Sequence, residues 1–347
     1  MKVGIIRDAF ANPSDAMTFQ AVEGAAMYGS QDNIGEAVLP YAQYNHIDQV
    51  PDDLDVYDVA ELYHDWSAHI VDLYPERTFV TVWDNIEDFA MRVNRDITKK
   101  VVRAPVAGYI ARTLRTALML VNFYGIDPDT VYICPAAVDE DRFHISFETG
   151  HKSQSGEKLK LLYAGRLTWE KGLTRLLPAL REMPNVQLII AGSGPLDGWI
   201  LEQQDAGLDI DVRGPVSHEN MPELHWEADV FIYPSIPTVG WVEQFGLSAF
   251  EAVFCGRPAI VSATGAFLEY GAFFNQIAPE DIHQITEAVD VVRNGKGIHE
   301  KREYLTQVES KTVGAKLAKI YAGEGAQWNL PNSISAVEKI SVPVGPM

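Results

Sequence analysis

Residues 159–194 read LKLLYAGRLTWEKGLTRLLPALREMPNVQLIIAGSG, and this stretch decides the fold. It opens with LKLLYAGR and closes with VQLIIAGSG, two apolar runs of strand length bounded by glycine. Between them, GLTRLLPALREMP sets Leu173, Leu176, Leu177 and Leu180 at helical spacing. Strand, helix and strand in that order predict parallel strands in an α/β sheet with helices on its faces.

The same alternation extends in both directions. Upstream, KVGIIRD, VYDVAEL, TFVTVWD and VYICPAA read as buried strands; downstream, IDVRGPV, DVFIYPS and RPAIVSA do the same. The pattern runs twice, and FETGHKSQSGEK (147–158), polar and rich in Gly and Ser, is the best linker. Two Rossmann-like domains facing each other across a cleft are therefore expected. The division is residues 1–150, then 151–312, then a helix from 313 crossing back to the first domain. The end, QWNLPNSISAVEKISVPVGPM (327–347), has no period and reads as an irregular tail. Ligands of such sheets bind beyond the carboxyl ends of the strands, which places the chemistry in the cleft.

The chain has 347 residues and a formal charge of −20, a balance that repels nucleic acid and anionic lipid unless basic residues cluster. One cluster exists: Arg92, Arg95, Lys99, Lys100, Arg103, Arg112 and Arg115. It reads first as a solvated face and second as a site for a lipid-phosphate acceptor or an anionic membrane surface. Cys134 and Cys255 lie in apolar surroundings and read as buried thiols in a reducing compartment. The start reads as a strand, not a signal peptide, and no apolar run is long enough to span a bilayer. The expectation is a cytoplasmic protein, peripheral at the inner membrane face if the basic cluster binds lipid.

EQFGLSAFE, Glu243 to Glu251, poses a chemical question. A helix from about Gly246 to Cys255 is apolar on nearly every side, yet Glu251 sits in its middle. A buried carboxylate must find partners or its pKa rises. A core arginine is one candidate partner; the paired hydroxyls of a ribose are the other. Glu243 precedes the helix, where the amides of Phe245, Gly246 and Leu247 would point outward and attract phosphate.

These residues together carry a resemblance. EQFGLSAFE resembles the Glu-x7-Glu motif of retaining GT-B glycosyltransferases, in particular glycosyltransferase family 4 (group 1). GRLTWEKG (165–172) resembles that family's Gly-Arg-Leu-x-x-Glu-Lys-Gly signature. IIAGSGPL, RGPVSHENMPELHWEADVFIYPS and the upstream YGIDPDTVYICPAAVDEDRF resemble further segments of the family in the same order. The resemblance covers roughly residues 100–320. It implies a GT-B fold, with the acceptor on the first domain and the nucleotide sugar on the second.

Carried over residue by residue, the resemblance implies a catalytic set of Arg166, Lys171 and Glu243. Arg166 and Lys171 would hold the donor diphosphate, where fixed cations stabilise the leaving group without a metal. The structural alternative is a surface Arg and Lys at a helix start, where cations oppose the helix dipole. Glu243 would touch the transferred sugar and Glu251 the ribose. Gly246 and Leu247 would offer amides, and Gly192, Gly194 and Val216 would border the base. The activity implied is transfer of a sugar from a UDP- or GDP-sugar to a lipid-linked, glycan or small-molecule acceptor, with retained configuration. No cofactor or metal is expected. The alternative is a GT-B-fold binding or partner subunit that lost turnover.

The first half departs from the family. The first turn reads RDAFANPSDAMTFQ, with Asn12, Pro13 and Ser14 where a glycine pair is usual. Trp83, Asp84 and Asn85 stand where a histidine often follows the strand. Asp84 reads as an acceptor contact or a structural cap, and His64 and His69 as packing or surface histidines. The acidic pair Asp209 and Asp211 is discounted as a metal site. A dinucleotide oxidoreductase is weaker still, because no Gly-x-Gly-x-x-Gly follows the first strand.

Overall fold

A computed structural model describes residues 3–7, 25–29, 52–59, 70–82, 99–146, 157–238, 241–279, 281–294 and 302–325. The expectations for Asn12 to Ser14, His64, His69, Trp83 to Asn85, Arg92 and Arg95 lie outside these residues. So do most of the linker and the tail beyond residue 325.

Among the described residues, the first half forms a sheet of six strands: β1 Val3–Arg7, β2 Ala25–Gly29, β3 Val56–Val59, β4 Thr78–Val82, β5 Gly108–Ala111 and β6 Val131–Ile133. Every pairing is parallel, in the order β2-β1-β3-β4-β5-β6. The second half repeats the plan: β7 Leu159–Ala164, β8 Val186–Ala191, β9 Ile210–Gly214, β10 Val230–Tyr233, β11 Ala259–Ser262 and β12 Asn275–Ile277. Its order is β12-β11-β10-β7-β8-β9, again all parallel. Counted from β7, that is the doubly wound dinucleotide-type order, which reverses between β7 and β10. The loops after those two strands diverge there and open a crevice at their carboxyl ends. Those are the loops that carry GRLTWEKG and EQFG.

Three strands escaped the sequence reading. Ala25–Gly29 has no β-branched residue, and Asn275–Ile277 is only three residues long. Gly108–Ala111 begins at a glycine and runs almost directly into the helix Leu114–Asn122. A Cβ on Gly108 would sit 2.8 Å from the Tyr132 ring and 3.0 Å from the Phe79 ring, so packing rather than strand propensity selects the glycine.

The second sheet has one continuous core, from Leu161 and Leu188 on the strands to Leu176, Phe250 and Val289 on the helices. That core also takes in Val138 and Phe143 from the crossover, and Leu305 and Val308 from the return segment. The return helix, Ser310–Tyr321, begins three residues ahead of the expected division and packs Val313, Leu317, Ile320 and Tyr321 onto Phe79, Ile110 and Tyr132 of the first sheet. Crossover and return are fastened together. Val138 N donates to Val308 O at 2.8 Å, and Ser310 N and Oγ donate to Glu140 Oε2 at 2.8 and 2.7 Å. The cleft is spanned by the backbone amide of Leu114, which donates to the Glu269 carboxylate at 2.8 and 3.0 Å.

The basic cluster does not form one face. Arg112 is fully buried and its Nη1 donates to the carbonyls of Cys134 and Pro135 at 3.3 Å each. The side chain closes the end of the first sheet, so the surface reading is corrected for this residue. Lys100, by contrast, is exposed and paired with Asp72. Cys134 and Cys255 are buried and not in a disulfide, and burial pushes the Cys134 thiol up to about 11. No helix among the described residues is long and apolar enough to cross a membrane.

Candidate donor site at the switch point of the second sheet

Lys171 ends the short turn Trp169–Lys171 that follows β7. The next residue, Gly172, has φ of +80° and starts the helix Leu173–Leu180. A Cβ there would fall 1.8 Å from the carbonyl oxygen of Pro234, so only glycine lets the turn settle against the loop after β10. That close approach delivers Lys171 to its partner. Its Nζ donates to Glu243 Oε2 at 2.8 Å, and Ser235 Oγ donates to the same oxygen at 2.8 Å. Both side chains are almost completely buried. The ammonium also lies 4.8 Å from the Tyr233 ring centre and 4.6 Å from that of Trp241, a desolvated cation between two aromatic faces.

Arg166 behaves differently. Its guanidinium is 65% exposed and reaches Glu170 at only 3.9 Å. It is an exposed cation, whereas Lys171 is buried in the wall. The neighbouring loop is held against it: Leu167 N donates to Ser193 O, and Leu196 N to Leu167 O, each at 3.0 Å. Gly192 and Gly194 belong to this second loop, and Asp197 Oδ1 accepts from the Gly194 amide at 2.9 Å. Val216 is half-buried in the loop after β9 and packs on the domain core.

The helix expected from Gly246 to Cys255 spans Leu247–Phe254. Gly246 is its N-cap, with φ of +75°, and offers no side chain to the first turn. A Cβ at Gly246 would meet the Phe267 ring at 2.2 Å. Phe245 is buried in a stack on Phe250, with ring centres 4.7 Å apart. Leu247 is half-buried at the start of the helix.

Glu251 is 2% exposed, and its partner is neither a core arginine nor solvent. His218 Nε2 lies 2.8 Å from Oε1, and His225 Nε2 lies 3.9 Å from Oε2. Burial pushes this carboxyl up, but the contacts with His218 and then His225 outweigh it and hold it at about 2. The carboxylate is therefore charged, buried and oriented. Burial and the nearby Glu243, joined at Tyr163 by the neighbouring Tyr233, push the Tyr163 and Tyr233 phenols the other way, well above their ordinary value, so both stay neutral donors around the site.

The sequence reading named Arg166, Lys171, Glu243 and Glu251. The structure brings Lys171 and Glu243 into direct contact and places Glu251 on the helix that follows. The reading missed Ser235, Trp241, His218 and His225. Ser235 and Trp241 flank Glu243 in SIPTVGWVEQFG, and both histidines lie in the quoted VSHENMPELH, but nothing local marks them as partners of an acid. Asp209 and Asp211 are engaged by Lys158 and Arg213, at 2.5 and 2.7 Å. Among the described residues no group of three or more His, Cys, Asp or Glu side chains is placed to hold a metal ion.

Comparison with known proteins shows what the chain is similar to. The model of the family "Glycosyl transferases group 1" matches residues 147–310. An uncharacterized glycosyltransferase of Methanocaldococcus jannaschii is 32% identical over 184 residues, 50% of this chain and 44% of that protein. A GDP-mannose-dependent alpha-(1-6)-phosphatidylinositol dimannoside mannosyltransferase of Mycobacterium tuberculosis is 33% identical over 171 residues, 47% of this chain and 43% of the relative. The chain thus spans less than half the length of either relative. In fold, HepE of Anabaena, solved in complex with UDP and glucose, superposes with a TM-score of 0.75 at 13% identity, over 93% of this chain and 100% of that one. Residues 147–310 are thus similar to the glycosyl transferases group 1 family, and the two-sheet fold is similar to that of HepE.

Proposed function

We propose that the chain is a retaining glycosyltransferase that moves a sugar from a nucleotide-sugar donor to an acceptor. The observation that carries the reading is the Lys171–Glu243 pair at the switch point between β7 and β10, with Glu251 buried on the next helix. Such crevices are where open α/β sheets bind nucleotides.

The parts have distinct tasks. The exposed guanidinium of Arg166 swings onto the diphosphate, and Lys171 adds a second fixed cation. As the glycosidic bond to the diphosphate breaks, negative charge develops on the leaving oxygen, and preorganised cations stabilise it. The first-turn amides at Gly246 and Leu247 support the same group. Glu243 orients the hydroxyls of the transferred sugar while anchoring Lys171. The leaving phosphate takes the acceptor proton as the new bond forms on the same face. Glu251 grips the ribose. UDP and GDP are the candidate nucleotides: HepE was solved with UDP, and the mycobacterial relative is named for GDP-mannose. The acceptor, lipid-linked, glycan or small molecule, is selected by the first domain.

The test is thermal shift with a nucleotide panel, followed by donor hydrolysis. UDP or GDP should raise the melting temperature by mass action, and Glu251→Ala should abolish the rise. Hydrolysis of the matching donor sugar should vanish in Arg166→Ala with the fold intact. A panel in which no nucleotide stabilises the protein contradicts the reading.

A further inference from the structure

The segment VDEDRF, Val138 to Phe143, lies at the end of the first half in sequence, yet Val138 and Phe143 pack in the core of the second domain. Asp139 ties it into a tight turn: its carbonyl accepts from the amides of Arg142 and Phe143 at 3.1 and 2.7 Å. Its carboxylate also lies 3.4 Å from Arg142 Nε. Phe143 is fully buried, with its ring centre 5.0 Å from that of His218 and 6.0 Å from that of His225. Arg142 Nη1 stands 3.3 Å from His218 Nδ1. The crossover turn therefore ends against the histidine that touches Glu251.

The hydrogen-bonding chemistry of this chain has one consistent solution. A guanidinium only donates, so Nδ1 of His218 must present its lone pair to Arg142. An ionised carboxylate only accepts, so Nε2 must carry the proton that reaches Glu251 Oε1. The imidazole is thereby fixed in the Nε2–H tautomer, with its ring plane set by the packing of Phe143. His218 engages one lone pair of Glu251, and among the described residues acceptor capacity remains on both oxygens. His225 at 3.9 Å stands too far from Oε2 to use it up.

We propose that Arg142 and His218 are positioning residues for the nucleotide site: Arg142 selects the His218 tautomer, and His218 locks the Glu251 carboxylate in the orientation that accepts both hydroxyls of a ribose. The proposal rests on the reading of Glu251 as the ribose contact. Neither residue touches the nucleotide; each acts through its neighbour, as outer partners do for buried functional groups. It also gives the VDEDRF turn a role, because a shift of the crossover would loosen the ribose grip without disturbing Lys171 or Arg166.

The test compares ligands that differ only at the ribose. Wild type, His218→Phe, His218→Gln and Arg142→Met would be titrated calorimetrically with UDP and GDP, their 2′,3′-dideoxy counterparts and inorganic pyrophosphate. Two hydrogen bonds to a charged acceptor give the wild type at least about a tenfold preference for the ribonucleotide. His218→Phe keeps a ring against Phe143 but removes the donor, so that preference should collapse towards parity while pyrophosphate affinity stays unchanged. His218→Gln restores an N–H and should recover much of the preference. Arg142→Met should fall between the two. Nitrogen NMR of histidine-labelled wild type should show His218 as the Nε2–H tautomer, and Arg142→Met should lose that signature. Pyrophosphate binding serves as the control for folding. An undiminished ribose preference in His218→Phe, or an Nδ1–H tautomer in the wild type, overturns the proposal and leaves the proposed function standing. A wild type that binds pyrophosphate but does not distinguish ribose from dideoxyribose overturns the ribose role of Glu251, and the proposal with it.

Discussion

Lys171 Nζ lies 2.8 Å from Glu243 Oε2, although the two residues are 72 positions apart in the chain. The contact joins the loop after β7 to the loop after β10 and closes the floor of the crevice. At this depth an ion pair has little water to screen it, and neither partner can lose the other cheaply.

Breaking the pair from one side should be costly. Lys171→Met leaves the Glu243 carboxylate buried with the Ser235 hydroxyl as its remaining side-chain donor among the described residues, and a loss of about 3–5 kcal/mol is expected. Lys171→Met combined with Glu243→Gln should cost clearly less than the two singles summed. Urea unfolding of the four proteins measures the coupling; additive losses would show that the pair carries no mutual stabilisation.

Gly172 is held by its surroundings, not only by its φ of +80°. Gly172→Ala would drive a methyl group into the Pro234 carbonyl, 1.8 Å away. The expected outcome is a loss of more than about 1 kcal/mol in stability and a larger loss of donor hydrolysis, because Lys171 is the adjacent residue. Wild-type stability with unchanged turnover would contradict this.

Glu251 makes stability depend on acid. Its carboxyl falls from an ordinary 4.5 to about 2 in the fold, burial being outweighed by His218 and His225. The unfolded chain therefore takes up this proton first. The contribution is complete above the ordinary value and is lost as pH falls towards about 2, with a size on the order of 3 kcal/mol. The stability gap between wild type and Glu251→Gln should shrink between about pH 6 and about pH 3. A gap that holds constant across that window refutes the assignment.

The return helix is latched at its far end. Tyr321 Oη and Thr81 Oγ1 both donate to the buried Asp58 Oδ2, the latter at 3.0 Å. Burial raises the Asp58 carboxyl above its ordinary value, despite these donors and the nearby Arg112. Tyr321→Phe removes a donor from a buried acid and should cost about 1–3 kcal/mol. Hydrogen exchange should quicken across Ser310–Tyr321 before the second domain responds. Equal exchange rates would mean the latch is not needed.

The strands that the sequence announced, such as LKLLYAGR, VQLIIAGSG and DVFIYPS, are buried runs rich in branched and aromatic side chains, and their character is local. Lys171, Glu243 and Glu251 could be singled out because their spacing within short motifs survives in the linear text; the Lys171–Glu243 contact shows only in the fold. Their partners were not. Whether His218 faces Glu251 depends on how the loop after β9 meets the helix Leu247–Phe254, 33 positions further on. Arg112 reads as one more surface charge in a basic run, and only the end of the first sheet shows it to be interior. Contacts between distant segments, and not propensities, set these roles.

The most direct measurement is a crystal structure of the protein with UDP or GDP bound. The account predicts the diphosphate against Arg166, Lys171 and the first turn of Leu247–Phe254, with both ribose hydroxyls on Glu251 and His218 still holding its other lone pair. A nucleotide seated elsewhere, with Glu251 contacting only His218 and His225, would contradict it.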